Sequence, residues 1–315
     1  MLFAPSLATG DAVFRRAEDT RLSLERDGAD WPNREASVLI EAHGLRWHVQ
    51  SLGEGPGLLL LHGTGAATHS WRGLAPRLAR RFRVVAPDLP GHGFTSARGA
   101  ETQSLQGMAR AVAALLAKIG FSPQVVVGHS AGVAVSARLC LDGALAPKLL
   151  VSLNGALEPF AGAGGHVFPA LAKLVFLNPL TPRFFAWTAK PDTVKRLLAG
   201  TGSRIDPAGV DLYWRLLRNP AHVEGALAMM ANWDLGPLRR EFAKLETRVA
   251  LVAAANDLTI PPATAHRAAA RLPNAEVLEI KGLGHLSHEE APELFADLIA
   301  ELASRATIRL CPRST

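Results

Sequence analysis

Three features of this 315-residue sequence predict an α/β fold with a mostly parallel central sheet, flanking helices and an inserted helical cap. Short apolar runs alternate with amphipathic stretches over residues 57–153, the rhythm of parallel strands joined by right-handed helical crossovers. From Asn154 to about Leu245 the rhythm stops, leaving helix-like pieces cut by Pro159, Pro169, Pro179, Pro182 and Pro191. It resumes at Val249–Ala253. With 48% hydrophobic residues the chain can bury a large core, as one big domain or as a domain carrying an insertion. The expected division is an N-terminal extension over 1–30, a core over 31–153 and 246–304, a helical cap over 154–245 and a basic tail over 305–315.

Up to about Ala29 the chain is polar and mixed in charge without a clear partner face, and reads as a loose helix or frayed extension. Ala36–Ala42 and Leu45–Leu52 read as strands joined by a turn at His43-Gly44. In the second strand Trp47 and Val49 alternate with His48 and Gln50, which suits a half-exposed antiparallel edge. Gly57–Leu61 is continuously apolar, as expected of a strand covered on both faces, and leads into the glycine-rich loop His62-Gly63-Thr64-Gly65-Ala66. A helix over Trp71–Arg80, a strand over Arg83–Ala86 and a rigid turn over Pro87–Gly93 follow. Leu105–Ile119 is an amphipathic helix, Gln124–Val127 a strand, Ala131–Leu141 a helix stopped by Gly143, and Lys148–Leu153 the next strand. Beyond the insertion come the strand Val249–Ala253, a helix opened by Pro261-Pro262 and the last strand Glu276–Ile280. Ser287-His288-Glu289-Glu290 has the form of a capping box ahead of a final helix reaching about Leu302.

A net charge of +6 raises the question of nucleic acid, but Lys and Arg are scattered and no basic run interleaves with stacking aromatics. Nucleic acid is therefore not an expected partner. Cys140 and Cys311 can form neither a disulfide framework nor a metal cluster, which points to a reducing compartment. The N-terminus lacks the basic region and apolar core of a signal peptide, and no stretch has the apolar length of a membrane span. A cytoplasmic protein is expected. The apolar segment Val167–Trp187 reads first as packing of the cap on the body, and second as a substrate wall or a patch facing a membrane.

Chemistry concentrates at Val125–Val133, Val-Val-Val-Gly-His-Ser-Ala-Gly-Val, where a strand turns sharply into a helix. In that context G-x-S-x-G is a nucleophile elbow, although the pentapeptide also arises by chance and its partners must decide. A serine hydroxyl is a poor nucleophile at its own pKa and needs a histidine base with an acid to orient it. Asp257 and His285 follow Ser130 in the order the arrangement requires, each just past a strand at the sheet edge where open α/β folds carry their sites. Blander readings exist: Asp257 as a turn or helix-terminal charge, His285 as a loop or satisfied core histidine. His288 is a rival base, set aside because it falls in the capping box. Asn154 sits at another strand end, but an amide cannot stabilise an imidazolium as a carboxylate does.

The backbone N–H groups of Ala131 and Thr64, with Gly65 as a substitute for Thr64, are the natural donors to an oxyanion. His62 and His92 read as loop-fixing residues. His129, Trp71, Phe168 and Phe176 are taken as substrate-contacting residues, with packing as the alternative for His129. No spacing of His, Cys, Asp and Glu suggests a metal and no G-x-G-x-x-G suggests a dinucleotide, so no cofactor is expected.

With the His62 loop, the elbow, Asp257 and His285 in place, the chain resembles the lid-bearing α/β-hydrolases over roughly residues 35–302. Asp30-Trp31-Pro32-Asn33-Arg34-Glu35, the stretch from His62 to Arg72 and Ala86-Pro87-Asp88-Leu89-Pro90-Gly91-His92-Gly93-Phe94-Thr95 carry a narrower likeness. Together they resemble the α/β-hydrolases found with bacteriochlorophyll biosynthesis and called magnesium-chelatase accessory proteins. That resemblance implies a role in photosynthesis, a flat apolar porphyrin or other tetrapyrrole ligand, and magnesium chelatase subunits as candidate partners. Peripheral contact with the inner or photosynthetic membrane through the cap stays open. Two functions follow as expectations: a serine hydrolase acting on an apolar ester, or a non-catalytic or weakly catalytic accessory that binds and presents protoporphyrin or its magnesium derivative. Epoxide hydrolases and haloalkane dehalogenases share the fold but need a carboxylate where Ser130 stands.

Overall fold

A computed structural model describes residues 21–158, 178 and 180–311. Its strands are β1 (Ser37–Ala42), β2 (Leu45–Leu52), β3 (Gly57–Leu61), β4 (Arg83–Pro87), β5 (Val125–His129), β6 (Leu149–Leu153), β7 (Arg248–Ala254) and β8 (Ala275–Ile280). They form one sheet in the order β1-β2-β4-β3-β5-β6-β7-β8. Only β2 runs against its neighbours; β4, β3, β5, β6, β7 and β8 pair in parallel.

Uniformly apolar strands occupy the middle because both of their faces are covered. Leu59 and Leu61 of β3, with Val126 of β5, point into a layer shared with the helices Leu105–Lys118 and Ala131–Leu141. Leu58, Leu60, Val125 and Val127 point the other way, toward the helices Leu74–Leu78 and Pro292–Arg305. All seven side chains are fully buried, each worth about 1.5–3 kcal/mol of transfer free energy. The helix Ala131–Leu141 ends as expected: Gly143 takes a left-handed φ of 69°, and the Gly143 and Ala144 N–H groups return to Cys140 O and Leu139 O.

β2 departs from its alternating pattern, because it is not the edge and its polar face is not exposed. His48 and Gln50 are fully buried. His48 Nδ1 donates to Asp88 Oδ2 at 2.8 Å and Gln50 Nε2 donates to Pro32 O at 2.7 Å, so polar partners replace water. Asp88 also accepts the N–H groups of Thr68 at 2.6 Å and Phe94 at 3.0 Å. It thereby ties together the loops after β3 and β4.

Between β6 and β7 lie the helices Thr181–Thr188, Pro191–Ala199, Pro207–Leu217, Pro220–Ala231 and Gly236–Arg240. Each has proline in its first two positions, so Pro182 and Pro191 open helices rather than cut them, while Pro159, Pro169 and Pro179 lie outside the described residues. Residues 21–29, read as part of a loose helix or frayed extension, are docked on the body through Leu24, which is buried in a cluster with Trp31 and Phe94. Trp31 is buried against Phe94, donates to Thr68 Oγ1 at 3.0 Å, and carries Arg215 of the insertion over its ring.

Two local expectations fail, the second because distant partners take the side chains. The helix expected over Trp71–Arg80 is a 3-10 turn at Thr68–Trp71 followed by Leu74–Leu78. The capping box does not form either: Ser287–Glu290 is a short helix of its own, and the helix Pro292–Arg305 starts at Ala291 without a side-chain cap. Ser287 Oγ instead donates to Asn154 Oδ1 at 2.8 Å, and Glu290 Oε1 accepts the Gly284 N–H at 2.8 Å.

Candidate active site

Ser130 stands between β5 and the helix Ala131–Leu141 at φ 51°, ψ −118°, a backbone conformation that costs a non-glycine residue of order 1–3 kcal/mol. The glycines on either side make it possible. A Cβ on Gly128 would lie 2.6 Å from Val133 N, and one on Gly132 would overlap Leu61 O. The turn therefore closes only with hydrogens there. The Ser130 side chain does not cap the helix it opens and stays partly accessible.

Asp257 follows β7 and His285 follows β8, at the same sheet edge as Ser130. Asp257 Oδ2 accepts His285 Nδ1–H at 2.8 Å and Asn154 Nδ2–H at 2.7 Å, while Oδ1 accepts the Thr259 and Ile260 N–H groups, both at 2.8 Å. Four donors fix a carboxylate that is fully buried in its side chain. Because the carboxylate accepts at Nδ1, the other ring nitrogen of His285 is left to act as a base. Asn154, set aside as the acid, accepts the Ser287 hydroxyl and itself donates to Asp257.

The glycine-rich loop lies against the elbow: a Cβ on Gly63 would come within 3.0 Å of Ser130 Cβ. His62 fixes this loop as its pattern suggested. Its Nδ1–H donates to Gly63 O at 2.8 Å and its Nε2 accepts Leu89 N–H at 2.9 Å, and burial pushes its pKa below the usual histidine range. Thr64 Oγ1 donates to Met229 Sδ at 3.3 Å, and His222 Nε2–H donates to Gly65 O at 3.1 Å. Two residues of the insertion thus hold the loop whose N–H groups would face an oxyanion. Ala131 N–H, first in its helix, has no place in the helical hydrogen-bond ladder.

Several expected substrate contacts are elsewhere. Trp71 is fully buried in the core layer beneath the sheet and stacks near His288 at 4.7 Å, so it cannot line a pocket. His129 is 2% exposed and its Nε2–H donates to His285 O at 3.0 Å, which makes it a brace for the His285 loop rather than a wall. Phe168 and Phe176 lie outside the described residues. His288 fails as a rival base on geometry: it is buried, its Nε2–H goes to Ser70 Oγ at 2.9 Å, and burial pushes its pKa down to about 3.

One turn of the insertion, Thr201-Gly202-Ser203, escaped the sequence reading because nothing local marks it. Thr201 O accepts both Leu258 N–H and His285 N–H at 3.2 Å, and Ser203 Oγ accepts Leu286 N–H at 2.8 Å. A Cβ on Gly202 would overlap Asn256 O. This turn wedges between the loops bearing Asp257 and His285 and sets their spacing. Ser203→Ala would leave a buried N–H unpaired, at about 1–3 kcal/mol. A lowered thermal midpoint with a several-fold fall in kcat is expected for that variant; wild-type values of both would show that the turn holds nothing.

The α/β hydrolase fold profile matches residues 56–292. The magnesium-chelatase 30 kDa subunit of Rhodobacter capsulatus is 39% identical over 279 residues, 87% of this chain and 96% of that protein. The pimeloyl-(acyl-carrier protein) methyl ester esterase of Aeromonas hydrophila is 28% identical over 261 residues, 80% of this chain and 96% of that protein. An α/β hydrolase fold protein from Burkholderia ambifaria matches in structure with a TM-score of 0.71 at 24% identity, covering 84% of this chain and 97% of that one. Sheet order, elbow geometry and a profile that spans most of the chain agree, and the protein belongs to the α/β-hydrolase fold family.

Proposed function

We propose that this protein is a serine hydrolase acting on an apolar ester, with Ser130 as nucleophile, His285 as base and Asp257 as the orienting acid. The observation that carries the reading is the 2.8 Å bond from His285 Nδ1 to a four-donor Asp257 carboxylate, on loops beside a strained Ser130. Ser130 Oγ attacks the ester carbonyl carbon as His285 Nε2 takes the hydroxyl proton. The oxyanion is met by Thr64 N–H and Ala131 N–H, placed before the charge develops. Collapse breaks the bond to the alkoxide, which leaves with the proton from His285. Water then repeats the sequence on the acyl-serine and releases the acid. The inserted helices cap the site in this reading, and Met229 and His222 tie the cap to the oxyanion loop.

A tetrapyrrole ester is the substrate class we favour, supported by the name of the R. capsulatus relative, which also supports a working contact with magnesium chelatase subunits. That same name favours a second reading, in which the protein binds and presents protoporphyrin or its magnesium derivative and the triad is idle. Purified protein assayed on p-nitrophenyl acyl esters and titrated with protoporphyrin by absorbance separates the two. Saturable hydrolysis supports the hydrolase. Tight porphyrin binding with hydrolysis no faster than buffer would overturn it in favour of the accessory.

A further inference from the structure

The helix Thr181–Thr188 is built inside out. Its buried residues are Pro182 and Ala186, which face the helix Pro220–Ala231, while its largest apolar side chains point to solvent. Leu180, Phe184 and Trp187 fall at helical spacings of four and three on one outward stripe and are 63%, 60% and 82% exposed. Phe185 flanks them, and the Phe184 ring lies 6.5 Å from Phe185 and 6.4 Å from Trp187. Leu197 on the next helix and Leu258 beside Asp257 are also exposed. Among the described residues, four of the eight exposed large hydrophobics, Leu180, Phe184, Phe185 and Trp187, belong to this one helix and its N-cap. Leu258 meets the turn after Leu197, since a Cβ on Gly202 would touch its Cγ at 3.3 Å. Leu258 adjoins Asp257 in sequence, so one of these exposed apolar side chains stands on the loop of the proposed triad acid.

Charge narrows what this stripe meets. Arg183, Lys190, Lys195 and Arg196 are all exposed, and Asp192 is the one acid between residues 180 and 200. A second copy placed symmetrically against the stripe would set these cations near their own counterparts, which disfavours self-association. A surface that is both negatively charged and apolar just beneath satisfies both halves. Aromatic side chains at the depth of lipid headgroups, with Arg and Lys reaching to phosphate, are the chemistry of an interfacial helix. No helix among the described residues is long and apolar enough to cross a membrane, so attachment would be to one leaflet.

We propose that the stripe Leu180–Phe184–Trp187 and its basic flank form a docking surface for an anionic lipid bilayer. The surface lies on the inserted helices and is independent of whether Ser130 is a nucleophile. It would bring the mouth of the site to the phase in which a lipophilic substrate dissolves.

Flotation of the purified full chain with vesicles of phosphatidylcholine alone, or with about one third phosphatidylglycerol, tests this. Wild type is expected to float with the anionic vesicles and not the neutral ones, and to be released by high salt. Phe184→Ser/Trp187→Ser and Lys190→Glu/Arg196→Glu should each reduce the bound fraction by about tenfold or more. Both pairs are exposed, so thermal midpoints and hydrolysis of a water-soluble short ester should stay at wild-type values. Loss of vesicle binding without loss of ester hydrolysis separates this surface from the catalytic reading. Failure of wild type to float with anionic vesicles overturns the proposal. So does equal binding by both variants, and so does a change of oligomeric mass in the apolar variant with flotation unaffected.

Discussion

Ser130→Ala should lower kcat for an apolar ester by about 10⁴- to 10⁶-fold with little change in KM. The size follows from what the side chain does in the proposed reaction: without Oγ there is no acyl-enzyme, and water must attack an unactivated carbonyl in a single step. In the proposed reaction the little that survives would come from the Thr64 and Ala131 N–H groups, which the substitution leaves in place. Folding should not suffer, because the Ser130 hydroxyl caps nothing and the glycines that shape the turn are untouched. Burst and steady-state assays on the same ester check this. A variant keeping more than about a tenth of wild-type kcat would remove Ser130 from the reaction.

Lowering the pH from about 7.5 to 5 should cost about 4 kcal/mol of folding stability through two histidines alone. His222 has its pKa pushed down to about 4 and His288 to about 3, in both cases chiefly by burial. The unfolded chain takes up a proton on each near pH 6.5, whereas the folded chain refuses it until much lower pH. Protons therefore favour the unfolded state, and stability falls as pH drops below about 6.5, by roughly 2 kcal/mol per residue at pH 5. The hydrogen bonds agree with the direction: His222 Nδ1 accepts Gly93 N–H at 3.0 Å, and a proton on that nitrogen would break the bond. His62, His69, His92 and His129 are pushed the same way, again chiefly by burial. Asp88 does not offset them. Burial alone would raise its carboxyl, but His48 and the Phe94 N–H hold it well below the usual range, so its contribution is lost only at pH values below about 4. Urea midpoints at several pH values between 7.5 and 5 measure the slope. A flat profile would contradict the burial of neutral imidazoles.

What was legible in the chain is what short spans encode. The all-apolar Gly57–Leu61 and the Val-Val-Val before Gly128 carry their own burial, and a G-x-S-x-G between strand and helix declares its turn. Asp257 and His285 could be picked because each stands just past a strand in the required order. Polar residues whose partners lie far along the chain gave no such signal. His48 pairs with Asp88 forty positions on, Ser287 with Asn154 at 133 positions, and Leu286 N–H with Ser203 at 83. From sequence His48 resembles a solvent-facing residue, Ser287 a cap and Ser203 an ordinary loop serine. Trp71 and His129 misled in the opposite sense: an aromatic or imidazole next to such motifs suggests a pocket, whereas Trp71 is core packing and His129 is buried and bonded to the His285 backbone.

The most direct measurement is intact mass and peptide mapping after exposure to a fluorophosphonate, which modifies a serine only when a neighbouring base has activated it. One adduct per chain is expected, mapped to Ser130, absent from Ser130→Ala and strongly slowed in His285→Ala. A folded wild-type protein that takes up no adduct, or takes it on another residue, would contradict the assignment of Ser130 as nucleophile.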